Sequence, residues 1–219
     1  MISIYPQLPK NFILGLALRR ISSQQNHIGF VFFDSNNQLK ICHLCWHKEM
    51  RLEDFNDNRY GISDILINSY NLTHLAATLE SIGSKNQSSI PYSFSSPVVV
   101  FDGSHVYVGH GKGEGLTCAT FVMSVLEYNA FKIVDKSTWQ TTLSDRNWCS
   151  EIISNLTRSG ITDQQHISTM RAAISKVTRF KPEQIYGCGI VEKKRWPIIF
   201  NEAEVIADAV IEIMSSKGL

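Results

Sequence analysis

The chain has 219 residues, 43% of them hydrophobic, so it can bury the core of one full domain. Its 21 basic and 20 acidic residues give a formal net charge of +1, which excludes the strongly basic surface typical of nucleic-acid-binding proteins. No apolar run reaches the roughly 18 residues that a transmembrane helix needs. We therefore expect no nucleic-acid partner and no membrane-spanning segment.

The first apolar run, residues 12–18, has one lysine before it and Arg19 and Arg20 after it. This charge order is the reverse of a secretory signal, so the run is predicted to be a strand or helix of the core. The five cysteines are an odd number without the spacing of a disulfide framework, which is typical of a reducing compartment. We expect a cytoplasmic protein without a signal peptide, and delivery as a secreted effector stays open.

A β-hairpin is predicted next, because residues 27–33 are β-branched and aromatic and residues 38–47 form a second strand after a turn. If the turn is centred near Ser35, His27 lies directly opposite His43 on the same face. Their Cβ atoms would then be about 5 Å apart, close enough for one ring to orient the other.

A third histidine, His47, has the same parity as His43 and points to the same side, further along the strand. A one-residue change in register would break the pairing of His27 with His43. Both His43 and His47 are therefore candidates for the partner of His27.

The same strand contains Cys42 and Cys45 among its histidines, a spacing also used in zinc sites. On a regular strand these two cysteines face opposite sides, and no second Cys-x-x-Cys or His-x-x-x-His completes four ligands. We predict no bound metal and keep zinc-stabilised binding through residues 42–47 as a competing hypothesis.

The middle of the chain begins with predicted helix at residues 63–66 and 72–79, ending at Gly83. A polar, serine-rich loop follows over residues 84–96. Within it, residues 90–94 are a candidate wall of a substrate cleft.

A second hairpin is predicted from residues 98–101 and 105–108, joined by a tight Asp102-Gly103 turn. In that arrangement His105 is an exposed strand residue rather than a ligand.

Cys118 lies where a glycine-rich loop, residues 109–115, gives way to an amphipathic helix. Thr117 is the predicted N-cap, which places Cys118 in the first turn, where free N–H groups and the helix dipole favour a thiolate. We expect the pKa of this thiol to be lowered. The N–H of Cys118 is a candidate oxyanion donor, with His110 as a second. The predicted core stripe of the helix is Cys118, Phe121, Val122, Val125 and Leu126.

Helices are also predicted beyond residue 134. Ser144 caps the first, Thr162 or Asp163 starts the second, and Asn201 opens the last. The core stripe of the last helix is predicted as Val205, Ile206, Ala209, Val210, Ile213 and Met214. No P-loop or dinucleotide-binding motif occurs, so no cofactor is expected.

A strand that begins His-Ile-Gly-Phe-Val, a second strand with Ile-Cys-His-Leu, and a later Thr-Cys-Ala-Thr-Phe-Val helix resemble a circularly permuted papain-like hydrolase. The pattern is similar to the lecithin:retinol acyltransferase family and its bacterial NlpC-like relatives. The resemblance covers roughly residues 25–50 and 114–130. The membrane-anchoring tail and the Asn-Cys-Glu-His motif of the vertebrate acyltransferases are absent.

The resemblance implies a role for each of three residues. Cys118 would be the nucleophile, His27 the general base and His43 the residue that orients His27. It also implies an α+β fold with a small antiparallel sheet, the nucleophile helix packed on the sheet and additional C-terminal helices. We expect a single permuted papain-like domain over residues 1–219, with the catalytic core in 1–134 and a helical extension in 135–219.

The predicted function is that of a cofactor-free cysteine hydrolase that cleaves an amide through an acyl-thioester. Peptide or peptidoglycan amides are favoured because the bacterial members often cut them. An acyltransferase or thioesterase acting on lipid or protein acyl groups is the alternative, since only the acceptor differs. A catalytically inactive interaction module of the same fold, with a protein partner, is the remaining possibility.

Overall fold

The computed structural model describes residues 2–22 and 25–219. In this part of the chain the strands are β1 Ser3–Ile4, β2 Leu14–Ser22, β3 Gln25–Phe33, β4 Leu39–Trp46, β5 Glu49–Asp54 and β6 Gly61–Asp64. They form one antiparallel sheet in the order β1-β6-β2-β3-β4-β5. The α-helices are α1 Ser69–Lys85, α2 Cys118–Tyr128, α3 Leu143–Ser159, α4 Gln164–Ala173, α5 Pro182–Ile190 and α6 Phe200–Ser216. The α+β class, the antiparallel sheet and the C-terminal helices are confirmed.

The sheet separates two apolar clusters, because successive side chains of a strand point to opposite faces. Even-numbered residues of β3 enter the larger cluster, which also contains buried residues of α1, α2 and α5. There the ring of Phe30 meets the ring of Phe121 of α2, with centroids 6.3 Å apart. Odd-numbered residues, among them Val31 of β3 and Ile41 of β4, belong to the smaller cluster on the other face.

Helix α2 begins as the sequence predicts. The Thr117 hydroxyl accepts a hydrogen bond from the Thr120 N–H at 3.1 Å, and the Thr117 N–H donates to the Thr120 hydroxyl at 2.7 Å. This reciprocal cap fixes Cys118 as the first residue of the helix. The predicted stripe from Cys118 to Leu126 is buried.

The hairpin of β3 and β4 is present, but its register differs from the prediction. Phe30 pairs with Cys42 and Phe33 with Leu39, so the hairpin is centred on Asn36 rather than Ser35. The Asp34 carboxylate sets this turn by accepting the N–H groups of residues 36 and 38, at 2.9 and 2.7 Å. Continuing the register places Gly29 opposite His43, so the prediction that His27 lies directly opposite was wrong. The two histidines are diagonal neighbours on the same face.

Three local predictions in the middle of the chain were wrong. Residues 63–66 are not helical, because residues 61–64 form β6 and pair with β2. The second hairpin contains a single bridge, Phe101 to Tyr107, rather than two strands. Its turn extends to His105, which has a φ of 67° and is therefore a turn residue, not a strand residue.

The C-terminal helices differ from the prediction at their boundaries. Helix α3 is capped by Thr142 rather than Ser144, α4 by Asp163, and α6 begins at Phe200. Helix α5 was not predicted, yet its Ile185 and Tyr186 lie in the main core. In α6 the buried residues are Ala203, Ala207, Val210 and Met214, whereas Val205 and Ile213 of the predicted stripe are exposed. None of the helices in the described ranges has the length and apolar character needed to cross a membrane.

Gly29 is a sharp test of the β3–β4 register. A Cβ built there would lie 2.7 Å from the Cβ of His43, whereas one built at Gly103 would meet no atom of residues 2–22 or 25–219 within 4 Å. Gly29→Ala is expected to lower the free energy of unfolding by about 1–3 kcal/mol, because the strands must separate locally. Urea denaturation measures the effect. Gly103→Ala is the control, with an expected change within about 0.5 kcal/mol, and equal effects of the two would contradict the register.

Candidate active site

Cys118, His27 and His43 line the same open cavity, whose volume is about 660 Å³. Tyr92 also lines it, and acidic and basic side chains of β2, β5 and the following loop complete its wall. The structure therefore brings the three predicted site residues to one cleft, although Cys118 comes from the helix layer and the histidines from the other face of the sheet.

The way β3 pairs explains how a helix on one face reaches this cleft. Pairing of β3 with β4 ends at Phe30, so residues 25–29 pair only with β2. The N–H of Ile28, the residue after His27, favours the thiolate form of Cys118. We infer from this that the sulfur lies near the free edge of β3. The start of α2 and the start of β3 thus form one side of the site.

Burial controls the protonation of Cys118, which is only 7% exposed. Loss of solvation raises the pKa of the thiol to about 11, while the N–H groups of Ile28, Ala119 and Cys118 itself act in the opposite direction. The expectation of a lowered pKa was therefore wrong. The N–H groups of the first helical turn act as expected, joined by that of Ile28 from β3, but they do not offset the desolvation, and the resting thiol is neutral.

His27 and His43 are in direct contact. His27 Nε2 lies 2.7 Å from His43 Nδ1, and the ring centroids are 4.9 Å apart. Burial lowers the pKa of His27 to about 3, with further lowering from His43 and Arg19, and burial lowers the pKa of His43 to about 4. Both rings are neutral at physiological pH.

Glu53 adds a carboxylate next to this pair of histidines. Its Oε1 lies 3.3 Å from His43 Nε2. A carboxylate accepts, so His43 would donate from Nε2 and accept at Nδ1, and His27 would donate from Nε2. This order leaves the His27 Nδ1 lone pair as the free base. The arrangement can remove a proton without holding a charge at rest.

The sequence prediction missed Glu53 because it missed strand β5. The signal was present, since residues 49–54 alternate between polar and apolar side chains. In the sheet Glu53 pairs with Ile41, and Arg51 pairs with His43. Glu53 reaches His43 across the strand as a diagonal neighbour.

His47 and His110 lie apart from the contact between His27 and His43. The His47 ring packs against the ring of His166, with centroids 5.4 Å apart, and its buried Nδ1 has no hydrogen-bond partner among the described residues. Of the two candidates for the orienting residue, His43 is the one that contacts His27. His110 is exposed and does not line the cavity, so the structure does not bring it to the site.

The segment predicted as a possible cleft wall contributes Tyr92. Tyr92 and Leu116 form a parallel bridge, and the Leu116 N–H donates to the Pro91 carbonyl at 2.9 Å. A Cβ at Gly115 would lie 2.2 Å from that carbonyl oxygen, so the close approach requires glycine. The bridge holds Tyr92 beside the start of α2.

The cysteines of the zinc hypothesis separate as strand geometry predicts. Cys42 is buried in the main core, where its thiol donates to the Leu79 carbonyl at 3.6 Å. Cys45 lies on the other face, with Sγ 3.5 Å from His43 Nε2. Ligand atoms of His27, His43 and Cys45 lie within 4.8 Å of one another, so this set, without Cys42, could hold a metal ion.

Comparison of the chain with protein-family models, with curated proteins and with solved structures found no match. The site is therefore interpreted from its own geometry.

Buried neutral histidines predict a loss of stability in acid. Burial lowers the pKa of His47 to about 4, well below its ordinary value of 6.5. Between pH 6.5 and pH 4 the unfolded chain therefore binds a proton at this residue that the folded chain does not bind. The free energy of unfolding falls as the pH falls through this window. At pH 5 one such histidine lowers the free energy of unfolding by about 2 kcal/mol.

Urea unfolding at pH 7 and pH 5 measures this effect. His47→Gln removes one titrating group, so the variant should lose about 2 kcal/mol less than the unmodified chain over that interval. His74, exposed on α1, provides the control. An acid response in His47→Gln that matches that of His74→Gln would contradict the assignment.

Proposed function

We propose that the chain is a cysteine hydrolase that cleaves an amide bond through an acyl-thioester on Cys118. The observation that carries the proposal is the single cleft lined by Cys118 and the contacting pair His27 and His43. Such a triplet supplies a nucleophile, a base and a group that orients the base.

Each step has a residue to perform it. His27 Nδ1 takes the proton from the Cys118 thiol as the sulfur attacks the substrate carbonyl carbon. The tetrahedral oxyanion then meets the N–H at the start of α2. When the C–N bond breaks, the His27 imidazolium gives its proton to the leaving amine. Water, deprotonated by the same ring, cleaves the thioester and releases the acid and the free thiol.

The neutral resting site affects this chemistry. Because the thiol pKa is about 11 and the His27 pKa is about 3, the proton is not transferred before substrate binds. Transfer would accompany attack on the carbonyl, and His43 and Glu53 would stabilise the imidazolium as it forms. The acyl-thioester can also pass to an alcohol or amine instead of water, so acyl transfer by the same residues differs only in the acceptor.

Alkylation tests whether His27 activates the sulfur. Cys118 is expected to react with iodoacetamide faster than Cys149 and Cys188, and His27→Gln should slow this reaction at least ~10-fold, because the base is lost. The site-resolved rate is measured by peptide mass spectrometry. His74→Gln, which changes an exposed histidine, should leave the rate unchanged. Equal and slow labelling of all the cysteines would favour an inactive interaction module.

The activity itself is tested by trapping the intermediate. Incubation with peptides or peptidoglycan fragments, followed by acid quench, should leave an acyl adduct on Cys118 whose mass names the acyl group. Cys118→Ser and His27→Gln should both lose the thioester. Substrate turnover that persists in Cys118→Ser would overturn the proposal.

A metal-binding role is the second candidate function, favoured by the convergence of His27, His43 and Cys45. Both imidazoles are neutral. Burial raises the pKa of Cys45 to about 12, but a zinc ion deprotonates a thiol that coordinates it, so the donor set suits zinc. This role predicts about one zinc per chain by elemental analysis, lost in Cys45→Ala and retained in Cys42→Ala. Since zinc would occupy the base, a stoichiometric signal in active protein would exclude His27 as the general base.

A further inference from the structure

The start of α2 offers backbone N–H groups to a tetrahedral oxyanion, but His110, the second donor expected from the sequence, is exposed and does not line the cleft. A small pocket lies beside Cys118, where such a donor would act. Its free volume is about 10 Å³, close to what one water-sized group needs. The pocket therefore has the size of a single oxygen atom rather than of a substrate chain.

Hydrogen-bond donors from two elements line this small pocket. Thr117, Cys118 and Ala119 contribute the start of α2, and the N–H groups of Cys118 and Ala119 act on the sulfur. Asn26 adds a side-chain amide from the start of β3, and it also lines the catalytic cleft. The aromatic residues of the lining are Tyr92, Trp148 and Phe180. Aromatic walls limit the access of water, so a hydrogen bond to a developing charge is stronger there than in bulk water.

The parity of β3 explains how Asn26 reaches the helix side of the sheet. Asn26 has the same parity as Ile28 and Phe30, which belong to the cluster that contains the buried residues of α2. His27 points to the opposite face, where it contacts His43. Consecutive residues of β3 thus supply a base from one face and an amide from the other.

Glu183 of α5 orients the Asn26 amide. Asn26 Nδ2 donates to Glu183 Oε2 at 2.9 Å. An ionised carboxylate only accepts, so the nitrogen of the amide, and not its oxygen, faces Glu183. The second hydrogen of this nitrogen has no acceptor among residues 2–22 and 25–219.

The same carboxylate lies within electrostatic range of the nucleophile. Burial is the main cause of the raised pKa of the Cys118 thiol, and the Glu183 carboxylate adds to it. Glu183 therefore holds an amide nitrogen, with one N–H still free, in the neighbourhood of the sulfur.

We propose that Asn26 is a second oxyanion donor for attack at Cys118. This inference rests on the proposed function. As the S–C bond forms, the thiol proton passes to His27 Nδ1 and the carbonyl π pair moves onto the oxygen. The Asn26 N–H and the N–H at the start of α2 donate to that oxygen in the small pocket. The electron pair returns when the leaving group departs, so these donors stabilise the transition state more than the bound substrate.

Two reagents separate this role from activation of the thiol. p-Nitrophenyl acetate acetylates a thiol through a tetrahedral oxyanion and releases p-nitrophenolate. Iodoacetamide is attacked at a saturated carbon and releases iodide, so no oxyanion forms. Asn26→Ala should slow acetylation of Cys118 about 100-fold and change its alkylation by less than about twofold. Peptide mass spectrometry measures both rates at Cys118.

Matched variants complete the comparison. Asn26→Gln keeps a side-chain amide and should restore part of the acetylation rate. Asn201→Ala, which changes an exposed asparagine of α6, should alter neither rate. Glu183→Ala frees the amide and removes a negative charge near the sulfur, so it should slow acetylation without slowing alkylation. If Asn26→Ala fails to fold by circular dichroism, Glu183→Ala and Asn26→Gln decide.

Equal slowing of both reactions in Asn26→Ala would overturn the proposal, because it would indicate a structural role. So would an unchanged acetylation rate in that variant together with a fall in Tyr92→Phe, whose hydroxyl is the competing donor. Asn26-dependent acetylation without hydrolysis of the thioester would preserve the donor and reject the hydrolase. Hydrolysis of the acetyl adduct without dependence on Asn26 would do the reverse, and no acetylation of Cys118 in the unmodified chain would overturn both.

Discussion

The close approach of β3 and β4 at Gly29 determines the character of the site. Because residue 29 has no side chain, the Cβ of His43 occupies the space that a Cβ at position 29 would otherwise share. His43 therefore packs closely against β3, and its Nδ1 lies 2.7 Å from His27 Nε2. The same approach removes both rings from water and lowers their pKa values. Burial by this packing is the largest cause of the low pKa values, and the neighbouring charges of Arg19 and Arg51 act in the same direction.

Because successive side chains point to opposite faces, β3 contributes both to the core and to the site. Its even-numbered residues Ile28 and Phe30 anchor the core beneath α2, while His27 points to the opposite face. The N–H of Ile28, the residue after His27, favours the thiolate form of Cys118, so the start of β3 bears on the nucleophile as well as on the base. This explains why a cysteine from the helix layer and a histidine from the other face line the same cleft. Displacing α2 would alter both the core and the site.

Features that depend on nearby residues could be predicted from the sequence. The Thr117 cap, the buried stripe of α2 and the two strands of the hairpin follow from local hydrogen bonding and hydrophobic period. The register could not be predicted, because it depends on how the Asp34 carboxylate folds the turn. Glu53 and the raised thiol pKa also escaped prediction. Glu53 lies on a strand whose alternation the sequence carries, whereas the raised thiol pKa arises from burial by residues distant in sequence, which residue spacing does not report.

The lining of the catalytic cleft bears on the choice between hydrolysis and acyl transfer. Tyr92 lies in the wall of this cleft, beside the start of α2 that carries Cys118. That cleft is wide and lined by charged side chains, and a polar, open space admits water readily. An open cleft with many charged side chains in its wall favours water over a large apolar acceptor.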